Sequence, residues 1–315
     1  MENGHQFPES RFRLKGLVAA VFTPFTANGD LNLPIIDSYV DQLVSDGVRN
    51  VFVCGTTGEG MSLTTEERMK VTEKWIESGK DKLDAVVVHV GSSNLRESQK
   101  LAQHAQDVGA AAIASIPPVF YKAATIDHLV SFFKEISEAA PKIPFYYYHN
   151  PGITGVKFQL EDFLSALGRN PVPSFCGVKF CSTDLYDYGR SMVVCNNHIQ
   201  IMYAVDEQAL PSLTLGGDAF IGSTYNYAGR VSNRMIKFYN AGDMEGAKTE
   251  QFRNQAVVNV LMKYGGNVGT NKAMMRLARL DLGPPRAPVH TPSQEELKNM
   301  KQDLESIGFF KWNNE

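Results

Sequence analysis

Short runs of apolar, β-favouring residues recur along the chain at Leu17–Phe22, Asn50–Cys54, Ala85–Val90, Ala112–Ile116, Phe145–His149, Phe175–Lys179, Ile199–Ala204 and Ala219–Gly222. Most stretches between them read as amphipathic helices. Pro34–Ser45 places Ile35, Ile36, Tyr39, Val40, Leu43 and Val44 on one stripe with the ~3.6-residue period of a helix. Thr64-Thr65-Glu66-Glu67 is a capping box, in which a hydroxyl and a carboxylate satisfy the first free N–H groups of the helix that follows. Asn94–Val108 and Thr125–Ala139 carry the same pattern. Beyond Gly222 the chain reads as helical, with Val231–Tyr239, Gly246–Tyr264, Lys272–Leu280 and Glu295–Ser306 as candidates, and Gly283-Pro284-Pro285-Arg286 punctuates it before the last of these.

Strands alternating with helices predict a parallel sheet, and runs apolar on both sides suit strands covered on both faces. An open, doubly wound sheet is the alternative. Eight β/α units without a long interruption favour a (β/α)8 TIM barrel with a C-terminal helical extension. The expected boundaries are a polar segment at 1–15, the barrel with its active site at 16–240, and the extension at 241–315.

Composition narrows the function classes. The 315 residues carry 31 Lys plus Arg against 34 Asp plus Glu, a net charge of -3, which leaves no electrostatic footprint for nucleic acid or an anionic membrane. The four cysteines (Cys54, Cys176, Cys181, Cys195) form no CxxC pair, so zinc-ribbon and thioredoxin-type readings fail. Met1–Lys15 is polar and lacks the apolar core of a signal peptide, and no apolar run approaches the ~20 residues that span a bilayer. A cytoplasmic protein in a reducing compartment is the expectation.

In a barrel of this kind the chemistry gathers at the C-terminal ends of the strands. The second strand runs into Gly55-Thr56-Thr57-Gly58-Glu59, a Gly-rich turn whose N–H groups and two hydroxyls suit a carboxylate or phosphate, although a P-loop is absent. Alternation along Tyr146-Tyr147-Tyr148 puts Tyr146 and Tyr148 on one face, and Tyr148, nearest the strand end, points toward the barrel mouth. Lys179 ends an apolar strand. Withdrawing an amine from water favours its neutral, nucleophilic form, as Schiff-base chemistry requires. The seven histidines include no HxH and no HExxH, and GxSxG is absent, so metal-dependent and serine-hydrolase readings have no support.

Taken in order, Gly16–Phe25, Gly55-Thr56-Thr57-Gly58-Glu59, Tyr148 with Asn150-Pro151, Gly177-Val178-Lys179, Asp206-Glu207 and Gly222-Ser223-Thr224-Tyr225-Asn226 carry a resemblance that covers nearly the whole chain. It resembles the pyruvate-dependent Schiff-base lyase family of dihydrodipicolinate synthase and N-acetylneuraminate lyase, and within it the animal-type lyase branch. Asp206, Glu207 and Ser223 match positions that hold the polyhydroxylated tail of sialic acid in that branch. Ile153 stands where the synthase branch has an arginine for a second substrate carboxylate.

The resemblance implies that Lys179 forms a Schiff base with the C2 ketone, and that Tyr148 shuttles the C4 hydroxyl proton. It implies that Thr56 and Thr57 bind the carboxylate. It implies further that the substrates are sialic acid, pyruvate and N-acetylmannosamine, that no metal or organic cofactor is required, and that the assembly is a homotetramer. Three positions depart from the family pattern. Cys181 replaces a Thr or Ser, Ala204 replaces a glycine whose backbone faces the substrate, and Phe120 replaces a tyrosine that bacterial members contribute across a subunit contact. Two other readings stand beside this one: an aldolase of the same family acting on a shorter 2-oxo acid (4-hydroxy-2-oxoglutarate or 2-keto-3-deoxygluconate), and a non-catalytic sialic acid binder.

Overall fold

The computed structural model describes residues 12–315. Eight strands form a closed barrel in sequence order. They are β1 (Gly16–Ala20), β2 (Asn50–Val53), β3 (Ala85–His89), β4 (Ala112–Ser115), β5 (Phe145–His149), β6 (Phe175–Phe180), β7 (Gln200–Tyr203) and β8 (Ala219–Gly222). All eight expected runs are strands, with ends displaced by a residue or two. Every residue of β2 to β8 is buried, so these strands are covered on both faces.

Two compact units make up the fold, one of residues 16–86, 206–210 and 220–315, the other of residues 87–205 and 211–219 with 12–15. In the first, β1 pairs with β2 in parallel, Ala19 opposite Val51. Thr64 and Glu67 form the expected capping box at the start of helix Thr65–Gly79. That helix packs Trp75 edge-on against Tyr39, with ring centroids 5.2 Å apart. The buried Asp46 carboxylate receives Arg230 at 2.6 Å and Arg279 at 3.1 Å, which ties two C-terminal helices to the loop before β2. The extension comprises Met244–Lys263, Val268–Ala278, Gln294–Ser306 and Phe309–Trp312.

In the second unit, β4, β5, β6 and β7 pair in parallel. Tyr147 faces the surrounding helices, its ring centroid 4.9 Å from that of Phe133 and 4.7 Å from that of Phe163. Tyr146 faces the opposite way and donates its hydroxyl to Gln200 Oε1 at 3.0 Å. Gln200 also accepts from the Leu14 N–H at 3.1 Å and donates to the Leu14 carbonyl at 2.7 Å and to Asp218 at 3.0 Å. An amide buried this deeply is tolerated because each of its polar atoms is paired.

Candidate active site

Lys179 and Tyr148 are penultimate residues of neighbouring strands, and the β5–β6 register sets them directly opposite one another. Opposed residues share a face, so the two side chains meet. Lys179 Nζ lies 3.9 Å from the centroid of the Tyr148 ring, and each residue is only 3% exposed. The other side of the tyrosine is fixed too. Its ring stands edge-on to His89, centroids 5.7 Å apart, and its hydroxyl accepts from Asn150 Nδ2 at 3.4 Å. Asn150 also caps the helical turn Pro151–Thr154, accepting from the Ile153 N–H at 3.4 Å. The strand end, its tyrosine and the next turn therefore hold together.

The two strand-end histidines, His89 and His149, both have partners within the protein. His89 Nε2 accepts from the Ile116 N–H at 3.3 Å. His149 stacks on Phe180, centroids 5.3 Å apart, with Nδ1 3.0 Å from the Tyr147 hydroxyl. Burial pulls the His149 pKa down to about 4, so the ring is neutral at physiological pH. Among the described residues no three His, Cys, Asp or Glu side chains converge to hold a metal ion.

Cys181 and Ala204 extend the β5–β6–β7 ladder by one residue on each strand. The Cys181 N–H donates to the His149 carbonyl at 2.8 Å and the Ala204 N–H to the Phe180 carbonyl at 2.9 Å. The half-buried Cys181 thiol points back at the Ala204 carbonyl, with Sγ 3.8 Å from the oxygen. The structure thus brings Lys179 to Tyr148 and Cys181 to Ala204.

The remaining candidates belong to the other unit. Thr56, exposed, and Thr57, half-buried, sit on the turn after β2. The Glu59 N–H donates to the Thr56 carbonyl and the Gly60 N–H to the Gly55 carbonyl, both at 3.0 Å, while the Gly58 carbonyl accepts from the Thr23 hydroxyl at 2.6 Å. A Cβ on Gly60 would collide with the Cys54 carbonyl, so only glycine closes this turn.

Asp206 and Glu207 begin the short 3-10 turn after β7 but have different surroundings. Asp206 is buried. Its Oδ2 accepts from the Thr224 N–H at 3.0 Å and the Thr224 hydroxyl at 2.6 Å, and its own carbonyl accepts from Gln251 at 3.3 Å. A side chain on Gly222 would strike this carboxylate, so the glycine is what lets Asp206 lie against β8. Glu207 is half-buried, and burial with Asp206 alongside holds its pKa above the usual carboxylate range. Ser223, half-buried, follows β8 directly and precedes Thr224, the residue clamped by Asp206.

All nine candidates thus lie at, or within a few residues beyond, the C-terminal end of a strand. Sequence reasoning passed over three supports of this arrangement: His89 beside Tyr148, Asn150 on its hydroxyl, and Thr224 under Asp206. Asn150 and Thr224 stand inside the motifs that carry the resemblance, so their place in the chain was the available signal.

The dihydrodipicolinate synthetase family model matches residues 13–307. The chain belongs to that family. It is 47% identical over 308 residues to the N-acetylneuraminate lyase of Rattus norvegicus, covering 96% of this chain and 95% of the relative. Identity to the Homo sapiens N-acetylneuraminate lyase is 45% over 308 residues, with the same coverage of 96% and 95%. Among solved structures, the N-acetylneuraminate lyase of Proteus mirabilis superposes with a TM-score of 0.89 at 34% identity, covering 95% of this chain and 100% of that one. The Aliivibrio salmonicida enzyme gives a TM-score of 0.90 at 34% identity, with coverage of 96% and 99%.

Proposed function

We propose that this chain is a Schiff-base lyase that cleaves N-acetylneuraminate reversibly to N-acetylmannosamine and pyruvate. The observation that carries the reading is the buried Lys179 amine set against Tyr148 by the strand register. The relatives, all named as lyases of this substrate, support the choice of sugar acid.

In the proposed reaction the Lys179 amine adds to the C2 ketone of the open-chain sugar and water leaves, giving a protonated imine. The imine is an electron sink, which is how covalent catalysis divides one hard step into easier ones. Tyr148 accepts the C4 hydroxyl proton as the C3–C4 bond breaks, and the bonding pair moves into the imine to form an enamine. N-acetylmannosamine departs as the aldehyde. Protonation of the enamine at C3 and hydrolysis then release pyruvate and restore the amine. Thr56 and Thr57 hold the substrate carboxylate. Glu207 and Ser223 take hydroxyls of the sugar tail, with Asp206 fixing the strand end from which Ser223 projects. Cys181 and Ala204 line the approach to Lys179.

Val119, Phe120 and Tyr121, in the loop after β4, are 41%, 78% and 83% exposed. Two adjacent aromatic rings this exposed suit burial against another copy of the chain, and a homotetramer is the proposed assembly. All four cysteines are free thiols, which suits a reducing cytosol, and among the described residues no helix is long and apolar enough to cross a membrane.

The test is reductive trapping. Borohydride added with pyruvate should leave one covalent adduct per chain, on Lys179, and Lys179→Met should fold yet lose both adduct and turnover. An adduct on another lysine, or none, would overturn the proposal.

A further inference from the structure

Behind the turn that carries Thr56 and Thr57 lies a buried ion pair that the reaction above leaves unused. Glu59 Oε1 meets Lys272 Nζ at 2.7 Å, and the two side chains are 1% and 2% exposed. Glu59 adopts φ +52°, the left-handed region that a non-glycine residue occupies at a cost of about 1–3 kcal/mol. Cys54, at the other end of the turn, has φ +59°.

The anchor is a fixed one. The second carboxylate oxygen of Glu59 accepts from the Arg286 N–H at 2.8 Å. Lys272, on helix Val268–Ala278, also donates to the Pro284 carbonyl at 3.2 Å and lies 4.3 Å from the centroid of the Phe25 ring. The carboxylate thus pulls the last residue of the turn inward while Thr56 and Thr57, three and two residues earlier, stay at the surface of the unit.

A buried ion pair is poor value for stability alone, because desolvating two charges offsets most of their attraction, and an apolar pair often holds a fold as well. The strained residue and the buried charges are both accounted for if the geometry of the turn matters. We propose that Glu59 and Lys272 are positioning residues for the carboxylate site: their pairing sets the turn conformation from which Thr56 and Thr57 present hydroxyl and N–H donors to a 2-oxo acid. The inference rests on the role given above to Thr56 and Thr57.

A group that holds the carboxylate binds it equally in the ground and transition states, so its loss raises KM and spares kcat. It also acts on every 2-oxo acid alike, whereas Glu207 and Ser223 meet only the long substrate. The informative variants are Glu59→Gln, which is isosteric and keeps an acceptor for the Arg286 N–H, and the double Glu59→Leu/Lys272→Met, which leaves no charge unpaired. In folded protein, verified by circular dichroism, KM for N-acetylneuraminate and the pyruvate concentration that half-saturates borohydride trapping should rise together, by about tenfold or more. The kcat should stay within about threefold of the parent. The conservative Lys272→Arg, which keeps the charge, should recover part of the loss. Thr57→Val, assayed alongside, separates the two ideas. If Thr57→Val weakens pyruvate binding and the pair variants do not, the positioning role is refuted and the carboxylate site stands. If Thr57→Val is silent as well, the assignment of the carboxylate site itself fails and the inference falls with it.

Discussion

Replacing Tyr148 by phenylalanine separates chemistry from fold more cleanly than any other single change. The substitution removes one oxygen. The ring keeps its edge-on contact with His89 at 5.7 Å and its place 3.9 Å from Lys179 Nζ. The hydroxyl's long hydrogen bond from Asn150, at 3.4 Å, is lost with it. Neutral hydrogen bonds contribute about 0.5–1.5 kcal/mol each, and one this long belongs at the lower end, so urea unfolding should shift by less than about 1 kcal/mol. General acid–base catalysis is worth about 10²–10⁴ in rate, or roughly 3–5 kcal/mol of barrier. Pyruvate release coupled to lactate dehydrogenase should therefore show kcat lower by that factor. Borohydride trapping of pyruvate on Lys179 should survive, because the amine and the carboxylate turn are untouched. A variant with parental kcat would remove Tyr148 from the mechanism. One that loses stability by several kcal/mol would show that the hydroxyl is a structural group instead.

Glu207→Gln and Ser223→Ala should raise KM for N-acetylneuraminate well above any change for a short 2-oxo acid, since a hydrogen bond to a charged group is worth about 1.5–3 kcal/mol; equal changes for both substrates would make these residues structural. Cys181→Ser should keep turnover and resist inactivation by iodoacetamide, with pyruvate protecting the parent enzyme, because the half-buried thiol lies two residues from Lys179 at the end of β6; equal alkylation sensitivity in parent and variant would refute this. His149 gives an acid-side effect on stability. Its folded pKa is depressed to about 4 against 6.5 unfolded, so its contribution is fully present above 6.5 and is lost as the pH falls toward 4. It should cost about 2 kcal/mol between pH 7 and pH 5. His149→Phe, which can keep the stack on Phe180, should flatten that part of the urea-stability profile, and an unchanged slope would show that other groups carry it.

The fold was legible because its signals are local. A strand buried on both faces announces itself as an unbroken apolar run, and a capping box such as Thr64–Glu67 needs only four consecutive residues. Several of the elements that went unnamed lack a local signature, although helix Leu185–Cys195, capped by Asp184, does not. Helix Leu160–Arg169 lacks a side-chain cap of its own, and its first N–H groups are satisfied by Asp187, from the following helix, at 2.9 and 3.3 Å. The brief helices Pro151–Thr154 and Ala209–Thr214 are too short to show a period. Helix Tyr225–Asn240 is kinked at Ala228, and the turn before the kink lies outside the apolar stripe, with Asn226 held from outside the helix. Its amide donates to the Ala20 carbonyl at 2.8 Å and its oxygen accepts from Tyr39 at 2.6 Å.

Legibility of the site follows the same division. Lys179 and Tyr148 stood out because each lies near the end of an apolar run, but what sets them opposite one another is a shift of register between Phe145 and Tyr146, where β6 carries one residue more than β5. Asp206 and Glu207 could not be told apart. As neighbouring acids at a strand end they read as one polyol-binding pair, yet Asp206 is turned inward by donors on Thr224, 18 residues later, in a space that exists because Gly222 lacks a side chain. Glu207 has no such clamp, and burial makes its carboxyl costly to ionise. The buried pair of Glu59 and Lys272 is the extreme case. Each residue reads in sequence as an ordinary surface charge, and only the packing of a C-terminal helix against the β2 turn makes them partners. What the sequence hides here is the set of long-range contacts that hold the candidate residues in place, because such contacts leave no periodicity and no spacing to read.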